Sequence, residues 1–301
     1  MRSRMLLVAA PEWELGGEQL GDLIDGPGFE SVKATPRTRA GFLAHAGHEA
    51  FVKRVDSGGY GRGLLARVFG SRARRALRGA RILEEAGFAH PRPLLMMEAL
   101  AAGSIRASYV VTEPLRAAQV LSRFALGRSR PPTLRRIVSR RVAAEIRRLH
   151  DAGIYTRDLQ ETNLMIEDRG DELVLYFVDF EDFRRTRRVS PERRMLNLVH
   201  LDRSVGRFAS RAQRLRFFYD YLGRRPARDD ARRLVRQYAA VRARVERRAG
   251  GRSGASGFST QLADSPARYG ARRSSASLSA GASAKPRGLT GGFSGAGARK
   301  E

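Results

Sequence analysis

The chain has 301 residues, of which 57 are basic and 31 acidic, and its formal net charge of +26 points to polyanionic partners such as nucleic acid, anionic lipid headgroups or phosphorylated sugars. It contains no cysteine, which excludes disulfides, thiolate metal sites and cysteine nucleophiles and fits a reducing compartment. No stretch approaches the ~20 apolar residues that cross a bilayer. The apolar run MLLVAA (5–10) is too short for a secretory signal, so we expect an early strand or ordinary packing there.

Strand patterns dominate the first part of the chain. Five segments read as strands: ESVKAT (30–35), FLAHAG (42–47), HEAFVKRV (48–55), PLLMMEAL (93–100) and ASYVVTEPL (107–115). The intervening PRTRAG (36–41) predicts a turn, and a helix is predicted over 71–87, with its end at Gly87. Together these elements predict a small antiparallel lobe with one helix.

Helical patterns dominate the rest. In TLRRIVSRRVAAEIRRLHDAG (133–153) apolar residues return at helical spacing with arginines opposite, and helical patterns come back over roughly 190–248. Between them, LMIEDRGDELVLYFVDF (164–180) predicts a hairpin. We predict a disordered tail over 250–301, because this Gly-, Ser-, Ala- and Arg-rich segment cannot bury enough apolar surface to offset its ordering entropy.

Lys53 lies near the end of the apolar strand EAFVKR (49–54). Lysine occurs only at Lys33, Lys53, Lys285 and Lys300, and the other basic residues are arginine. A lysine retained inside an apolar strand therefore suggests a role that arginine cannot fill, and a compact ammonium there can contact the α- and β-phosphates of ATP. A strand-end lysine that faces water is the alternative.

Three polar residues follow the long helix in an order typical of phosphoryl transfer. Asp158 and Asn163 lie in the loop TRDLQETN, which matches D-x-x-x-x-N: the carboxylate orients the attacking hydroxyl and the amide oxygen suits Mg²⁺. Asp179 follows the apolar run LVLYFV, where a buried carboxylate is costly unless a cation such as Mg²⁺ pairs with it. A polar loop and an arginine-paired strand end are the alternatives.

The stretch from HDAGIYTRDLQETNLMI (150–166) to YFVDFED (176–182) resembles the lipopolysaccharide core kinases, the WaaP-like family that phosphorylates Kdo or heptose sugars, a distant branch of the protein-kinase-like superfamily. Three further segments share the resemblance: VKR (52–54), SRARRALRGARILEEAGFAHPRPL (71–94) and LDRSVGRFASRAQRLRFFYDYL (201–222). The similarity covers roughly residues 30–245.

The resemblance implies an α+β, bilobal protein-kinase-like fold. The expected organisation is an N-terminal extension (1–28), a β-rich N-lobe (29–115), a mainly helical C-lobe (116–249) and the tail (250–301). The implied cofactors are ATP and Mg²⁺, and the implied activity is phosphoryl transfer to an alcohol group. The implied acceptor is a sugar or glycolipid, handled by a cytoplasmic enzyme whose peripheral contact with an anionic inner membrane is left open.

The resemblance also implies residue roles. Lys53 is expected on the ATP phosphates, Asp158 as catalytic base, and Asn163 and Asp179 as metal ligands. The segment from Glu113 to Leu115 is expected at the hinge, where its backbone holds adenine, and His150 is expected to orient the catalytic loop by hydrogen bonding. The basic run RRTRRVSPERR (184–194) is expected on the acceptor side, with a solvated basic loop as the alternative.

Three departures from the kinase pattern bear on these roles. PRTRAG contains one glycine and lacks the glycine-rich phosphate loop, and Glu181 stands where protein kinases have the glycine after Asp-Phe. The helix over 71–87 offers only Glu84 and Glu85, both at its end, as the acidic partner of Lys53, so the ion pair is either formed by one of these or formed differently.

Other functions fit parts of the sequence. The same fold serves small-molecule and protein Ser/Thr kinases, and a pseudokinase scaffold would bind ATP without transfer. The charge of +26 also suggests nucleic-acid binding, although the tail has only Phe258, Tyr269 and Phe293 for base stacking, which disfavours this reading.

Overall fold

A computed structural model describes residues 2–125, 131–206 and 208–250 of the chain. These residues all belong to one compact unit. The predicted disordered tail lies outside the described residues, apart from Gly250 at the end of the last helix. Within the described ranges, no helix combines the length and apolar character needed to cross a bilayer.

The first part of the chain forms a strand-rich layer. Its elements are β1 (Arg2–Ala9), α1 (Gly17–Asp25), β2 (Phe29–Thr35), β3 (Thr38–His45), β4 (His48–Asp56), α2 (Tyr60–Phe69), α3 (Arg72–Glu85), β5 (Pro93–Ala101) and β6 (Ser104–Thr112). The strands form one sheet in the order β1-β5-β6-β4-β3-β2, and every neighbouring pair is antiparallel. The expected early strand is β1, which pairs with β5 at the edge of this sheet.

The second part is mainly helical. Its elements are β7 (Gln119–Val120), α4 (Leu121–Ala125), α5 (Pro132–Asp151), β8 (Ile154–Thr156), β9 (Leu164–Asp168), β10 (Leu173–Phe177), β11 (Phe183–Arg185), α6 (Pro191–Val205), α7 (Arg211–Leu222) and α8 (Arg228–Gly250). The predicted hairpin is present as β9 and β10, with Leu164 opposite Phe177. The predicted long helix is α5, whose apolar face packs into the core.

One apolar core joins the two parts. Leu83 and Ala80 of α3 pack in the same cluster as Ile146 and Leu149 of α5 and Phe177 of β10, all of them buried. Burial of this kind is the main source of folding free energy. Because α3 contributes to a core that continues into the helical part, its position is tied to the hairpin and to the loops at the hairpin ends.

The predicted turn over 36–41 was wrong beyond Arg37, because β3 already begins at Thr38. The Thr38 amide donates to the Thr35 hydroxyl, and a Cβ at Gly41 would overlap the Glu30 carbonyl oxygen. Gly41 thus marks a close strand approach beside a register shift in β2, a position where glycine is common within strands.

The single helix expected in the strand-rich part is accompanied by two more, α1 and α2. Both contain glycine, which weakens helix propensity, and each has a glycine at its N-cap, Gly16 or Gly59, which has no side chain to cap the helix. Packing rather than propensity accounts for α1, because Leu20 and Ile24 are buried against the sheet.

Candidate active site

A cavity of about 650 Å³ lies where the strand-rich part meets the helical part. Strands β2 to β4 and β6 form one wall, and the loops after β8 and β10 form the other. Of the residues predicted from the sequence, the cavity is lined by Lys53, Glu113, Leu115, Asn163 and Asp179. Residues more than 100 positions apart in the chain therefore meet at one surface.

Lys53 reaches from β4 toward two carboxylates. Its Nζ lies 2.9 Å from Asp179 Oδ1 and 2.8 Å from Glu181 Oε1. Burial alone would lower the pKa of Lys53, but the charges and hydrogen bonds of Asp179 and Glu181 raise it above its ordinary value. Lys53 is therefore a fixed positive charge in the cavity.

Glu181 has a role that the sequence pattern did not identify. Its side chain is only 5% exposed, and it accepts from Lys53 on one oxygen and from Arg72 Nη1 at 2.8 Å on the other. Arg75 Nη2 lies 3.8 Å from the same carboxylate. Three cations from β4 and α3 thus surround one buried acid, as buried charges require.

The two glutamates considered as partners of Lys53 lie elsewhere. Glu85 binds Arg185 at 2.8 Å on the surface, and Glu84 is exposed. Lys53 therefore pairs with Asp179 and with Glu181, the acid that follows Asp-Phe, and not with Glu84 or Glu85 of α3. Helix α3 contributes cations to this cluster and no acid, because its Arg72 and Arg75 pair with Glu181.

Asp179 follows β10 in a left-handed backbone conformation, with φ 55° and ψ 54°. A non-glycine residue in this region is uncommon and is typical of functional turns. Burial would raise the pKa of Asp179, but the nearby Lys53 ammonium lowers it below its usual range. Asp179 is therefore an ionised oxygen donor at the cavity wall.

Asp158 and Asn163 lie on the loop between β8 and β9, next to each other. The Asn163 amide donates to the Asp158 carbonyl at 2.9 Å and to Asp158 Oδ2 at 3.3 Å, and Gln160 Nε2 donates to Asp158 Oδ1. Burial raises the pKa of Asp158 above its ordinary value. With its nitrogen used in this way, Asn163 keeps its amide oxygen as a possible metal ligand.

His150 is connected to the loop that carries Asp158 through a chain of hydrogen bonds. It is fully buried at the end of α5, with Nδ1 2.8 Å from the Tyr221 hydroxyl and Nε2 3.1 Å from Asn197 Oδ1. Asn197 Nδ2 in turn donates to the Thr156 carbonyl, and the Thr156 hydroxyl accepts from the Asp158 amide at 3.2 Å. Burial lowers the pKa of His150 to about 4, so the ring is neutral at pH 7 and positions the loop.

Glu113 and Leu115 follow β6 at the far end of the cavity. The Glu113 amide donates to the Arg92 carbonyl at 2.9 Å, and its carboxylate accepts from the Arg92 amide at 3.0 Å. The Leu115 carbonyl accepts from the Ala118 amide at 3.3 Å. This segment connects the sheet to β7 and is held at both ends.

Lys33 was not among the predicted site residues, yet it lines the same cavity from β2. Burial lowers the pKa of Lys33, and the charge of Lys53 lowers it further. The signal was present in the sequence, since Lys33 and Lys53 are the two lysines before the tail in a chain that otherwise uses arginine.

Comparisons with known proteins identify the family and the fold. The model of the lipopolysaccharide kinase (Kdo/WaaP) family matches residues 62–221. A solved structure described as "WaaP in complex with acyl carrier protein" aligns over 82% of this chain and 98% of its own, with 23% sequence identity and a TM-score of 0.58, a likeness of fold. A search of curated proteins found no match.

The family match covers more than half of the chain, and the fold of a solved WaaP structure covers most of it. The predicted α+β kinase-like fold is therefore confirmed, as is the resemblance on which it depended. This chain belongs to the lipopolysaccharide kinase (Kdo/WaaP) family and is a phosphotransferase with an alcohol group as acceptor.

Proposed function

We propose that this protein transfers the γ-phosphate of ATP to a hydroxyl of a lipopolysaccharide core sugar or another lipid-linked sugar. The observation that carries the proposal is the meeting of Lys53, Asn163 and Asp179 at one cavity, with Asp158 hydrogen-bonded to Asn163 beside it. Phosphoryl transfer needs a cation on the phosphates, oxygen ligands for Mg²⁺ and a carboxylate at the acceptor, and these residues supply each.

The cavity suits a nucleotide with Mg²⁺. Among the described residues, no three His, Cys, Asp or Glu side chains cluster as a self-sufficient metal site. Mg²⁺ in kinases is typically held by one or two protein oxygens together with substrate phosphates, so the Asp179 carboxylate and the Asn163 amide oxygen fit this donor set. When bound, the ion would neutralise charge that develops on the transferred phosphoryl group.

The phosphates would lie against two lysines. Lys53 is held in place by Glu181, so Asp179 can turn to the metal while Lys53 keeps a partner. The turn between β2 and β3 lacks the glycines that let backbone amides cradle phosphate. We propose that the Lys33 ammonium on β2 supplies that contact instead, because it faces the same cavity.

Adenine would lie at the segment after β6. The Glu113 amide and the Leu115 carbonyl already have protein partners. The Glu113 carbonyl and the Leu115 amide are therefore the groups we assign to adenine. The Glu113 carbonyl would accept a hydrogen bond from the base and the Leu115 amide would donate one, so a base with a different arrangement of donor and acceptor would bind less well.

Asp158 would act on the acceptor. Its raised pKa, caused by burial, makes the carboxylate a better proton acceptor than an exposed aspartate, while the loop contacts through Thr156 fix its direction. The carboxylate would orient the sugar hydroxyl toward the γ-phosphorus and accept its proton as the new P–O bond forms and the bond to ADP breaks.

An arginine cluster supports an anionic acceptor. Arg184 donates to the Glu181 and Phe183 carbonyls at 3.2 and 2.8 Å. Burial lowers the pKa of Arg184, and although Asp182 raises it, the nearby charges of Arg157, Arg78 and Arg75 lower it further. Guanidinium groups gathered beside the catalytic loop would suit the phosphates or carboxylates of a lipopolysaccharide core.

The test is transfer of labelled γ-phosphate from ATP with Mg²⁺ to three acceptors: lipopolysaccharide core, an aminoglycoside and a protein substrate. We expect label on the core sugar with wild type and its loss with Asp158→Asn. Label on the aminoglycoside or the protein alone would instead identify a small-molecule or protein kinase. Nucleotide binding without transfer to any acceptor would identify a scaffold.

A carrier protein is a second proposed partner. The described residues include another cavity, of about 600 Å³, with an apolar wall of Val138, Leu198 and Phe217 and arginines such as Arg135 and Arg216 at its sides. Since the solved WaaP structure contains acyl carrier protein, we propose that an acidic acyl carrier binds here. Co-purification that survives Arg216→Gln and Arg135→Gln together would contradict it.

A further inference from the structure

Helix α2 carries its large apolar side chains toward solvent. Tyr60, Leu64, Leu65, Val68 and Phe69 are between 46% and 78% exposed. Their spacing places all five on about half of the helix circumference, as in an amphipathic helix, but this half faces away from the protein. Scattered exposed apolar residues are normal, whereas five on one ten-residue helix form a patch.

The protein-facing side of α2 is built from small groups. A Cβ at Gly63 would overlap the Ile105 carbonyl oxygen and the Ser104 hydroxyl, so the helix backbone lies directly on β6. Ser104 Oγ donates to the Tyr60 carbonyl at 2.9 Å, and Arg67 Nη1 donates to the Gly103 carbonyl at 2.7 Å. These contacts fix the rotation of α2, and the apolar half is therefore held outward.

The chain segment that carries this patch has basic residues and no acidic ones. From Ser57 to Leu83 it contains seven arginines, Arg62, Arg67, Arg72, Arg74, Arg75, Arg78 and Arg81, of which Arg72, Arg74 and Arg75 pair with the buried acids Glu181 and Glu98. On a helical projection, Arg62 and Arg67 lie at the two edges of the apolar half of α2. An apolar face bordered by cations matches a bilayer surface with anionic headgroups, since the apolar side chains enter the acyl boundary while the guanidiniums stay at the phosphates.

We propose that α2 docks this protein on an anionic lipid surface, with Leu64, Leu65, Val68 and Phe69 entering the bilayer boundary. The patch lies outside the nucleotide cavity, and the inference does not depend on the identity of the acceptor. Two other kinds of contact explain less of this surface. An electrostatic contact alone would not need exposed leucines, and binding to a protein would not require a cation at both edges of the helix.

The experiment compares co-sedimentation with phosphatidylglycerol vesicles and with phosphatidylcholine vesicles. We expect wild type to bind the anionic vesicles, and Leu65→Gln/Phe69→Gln to bind them at least about tenfold more weakly. Full burial of one such apolar side chain strengthens binding by roughly ten- to hundredfold, and partial insertion of two side chains retains part of that gain. The matched control, Ile137→Gln/Val235→Gln, removes two apolar residues that are also more than half exposed, on α5 and α8, and should bind as wild type does.

A second readout locates the contact. Because the chain has no cysteine, Leu65→Cys and Ile137→Cys can each carry a single environment-sensitive fluorophore. We expect a blue shift on vesicle addition at position 65 and none at position 137. Equal vesicle binding by the α2 variant and wild type, an unshifted label at 65, or self-association of wild type that the α2 substitutions abolish without vesicle binding would each overturn the proposal.

Discussion

Glu181 binds two side chains that each lie more than 100 positions before it in the chain. One oxygen of its carboxylate accepts from Lys53 and the other from Arg72, so a single buried acid fixes both the phosphate-side lysine and the start of α3. The position directly after Asp179 and Phe180 thus links strand β4 to helix α3. A glycine there could supply neither contact.

We expect Glu181→Gln to lower kcat/KM for phosphoryl transfer by roughly 10²-fold, because Lys53 would lose its permanent partner and bind Asp179 more tightly. Loss of one partner of a buried ion pair costs about 3–5 kcal/mol, and the half-exposed Arg72 puts the expected loss near the lower figure. Urea unfolding and steady-state kinetics measure both. Glu85→Gln, at the exposed pair with Arg185, is the control and should change neither.

The ionised Asp158 carboxylate should lower the stability of the fold while it supports phosphoryl transfer. Burial raises its pKa in the folded state, so the unfolded state releases the proton first as the pH rises, and the ionised form at pH 7 lowers the free energy of unfolding. We expect Asp158→Asn to raise Tm, by about 2–4 °C for each kcal/mol of this cost, while transfer is lost. Differential scanning calorimetry checks the sign. Asp171→Asn, at an exposed aspartate, should leave Tm unchanged, and a lower Tm for Asp158→Asn would contradict the burial argument.

At the scale of elements, helix α3 is the part that aligns the cavity. Arg74 Nε donates to the buried Glu98 of β5 at 2.8 Å, and Ser71 caps the helix by accepting from the Arg74 amide at 3.1 Å. At its middle, a Cβ at Gly79 would overlap the Phe180 carbonyl oxygen. The helix therefore lies directly on the Asp179–Glu181 turn, and glycine permits that approach.

We expect Gly79→Ala to destabilise the protein and reduce transfer, although alanine normally favours a helix interior by about 1 kcal/mol over glycine. The Cβ would push α3 away from Phe180 and so move Arg72 and Arg75 from Glu181. Gly61→Ala in α2, where a Cβ has nothing within 4 Å, is the matched control and should stabilise. Urea unfolding of both variants tests this; equal effects would show that α3 does not need the close approach.

The His150 network should give the protein a pH-dependent stability. The folded pKa of about 4 lies below the ordinary 6.5, so stability is complete above about pH 6.5 and is lost as the pH falls toward 4, because the unfolded imidazole binds a proton that the folded state excludes. Because a difference of one in pKa between the folded and unfolded states corresponds to 1.36 kcal/mol, the free energy of unfolding should fall by about 3 kcal/mol over this pH range. His150→Gln should remove that slope in urea unfolding, whereas exposed His48→Gln should keep it.

At the scale of the molecule, the sequence identified the cavity better than it identified the contacts within it. Lys53, Asn163 and Asp179 could be placed together because each has a local signal: a lysine in an apolar strand, a D-x-x-x-x-N loop and an acid after six apolar residues. The Glu181 pair has no local signal, since it depends on how α3 and β4 approach the turn after β10. Helices α1 and α2 were missed because both contain glycine, which weakens helix propensity, and because the close approach of Gly63 to β6 has no local signal in the sequence.

Lys53, Asp158, Asn163 and Asp179 are expected to meet at one nucleotide–Mg²⁺ complex, and a crystal structure with a non-hydrolysable ATP analogue and Mg²⁺ would show whether they do. We predict Mg²⁺ at about 2.1 Å from the Asn163 amide oxygen and the Asp179 carboxylate, Lys53 on the phosphates and still bonded to Glu181, and Asp158 facing the γ-phosphate. A nucleotide bound instead in the second cavity, the one lined by Val138, Leu198 and Phe217, or a metal ion that neither Asn163 nor Asp179 touches, would overturn the proposed function.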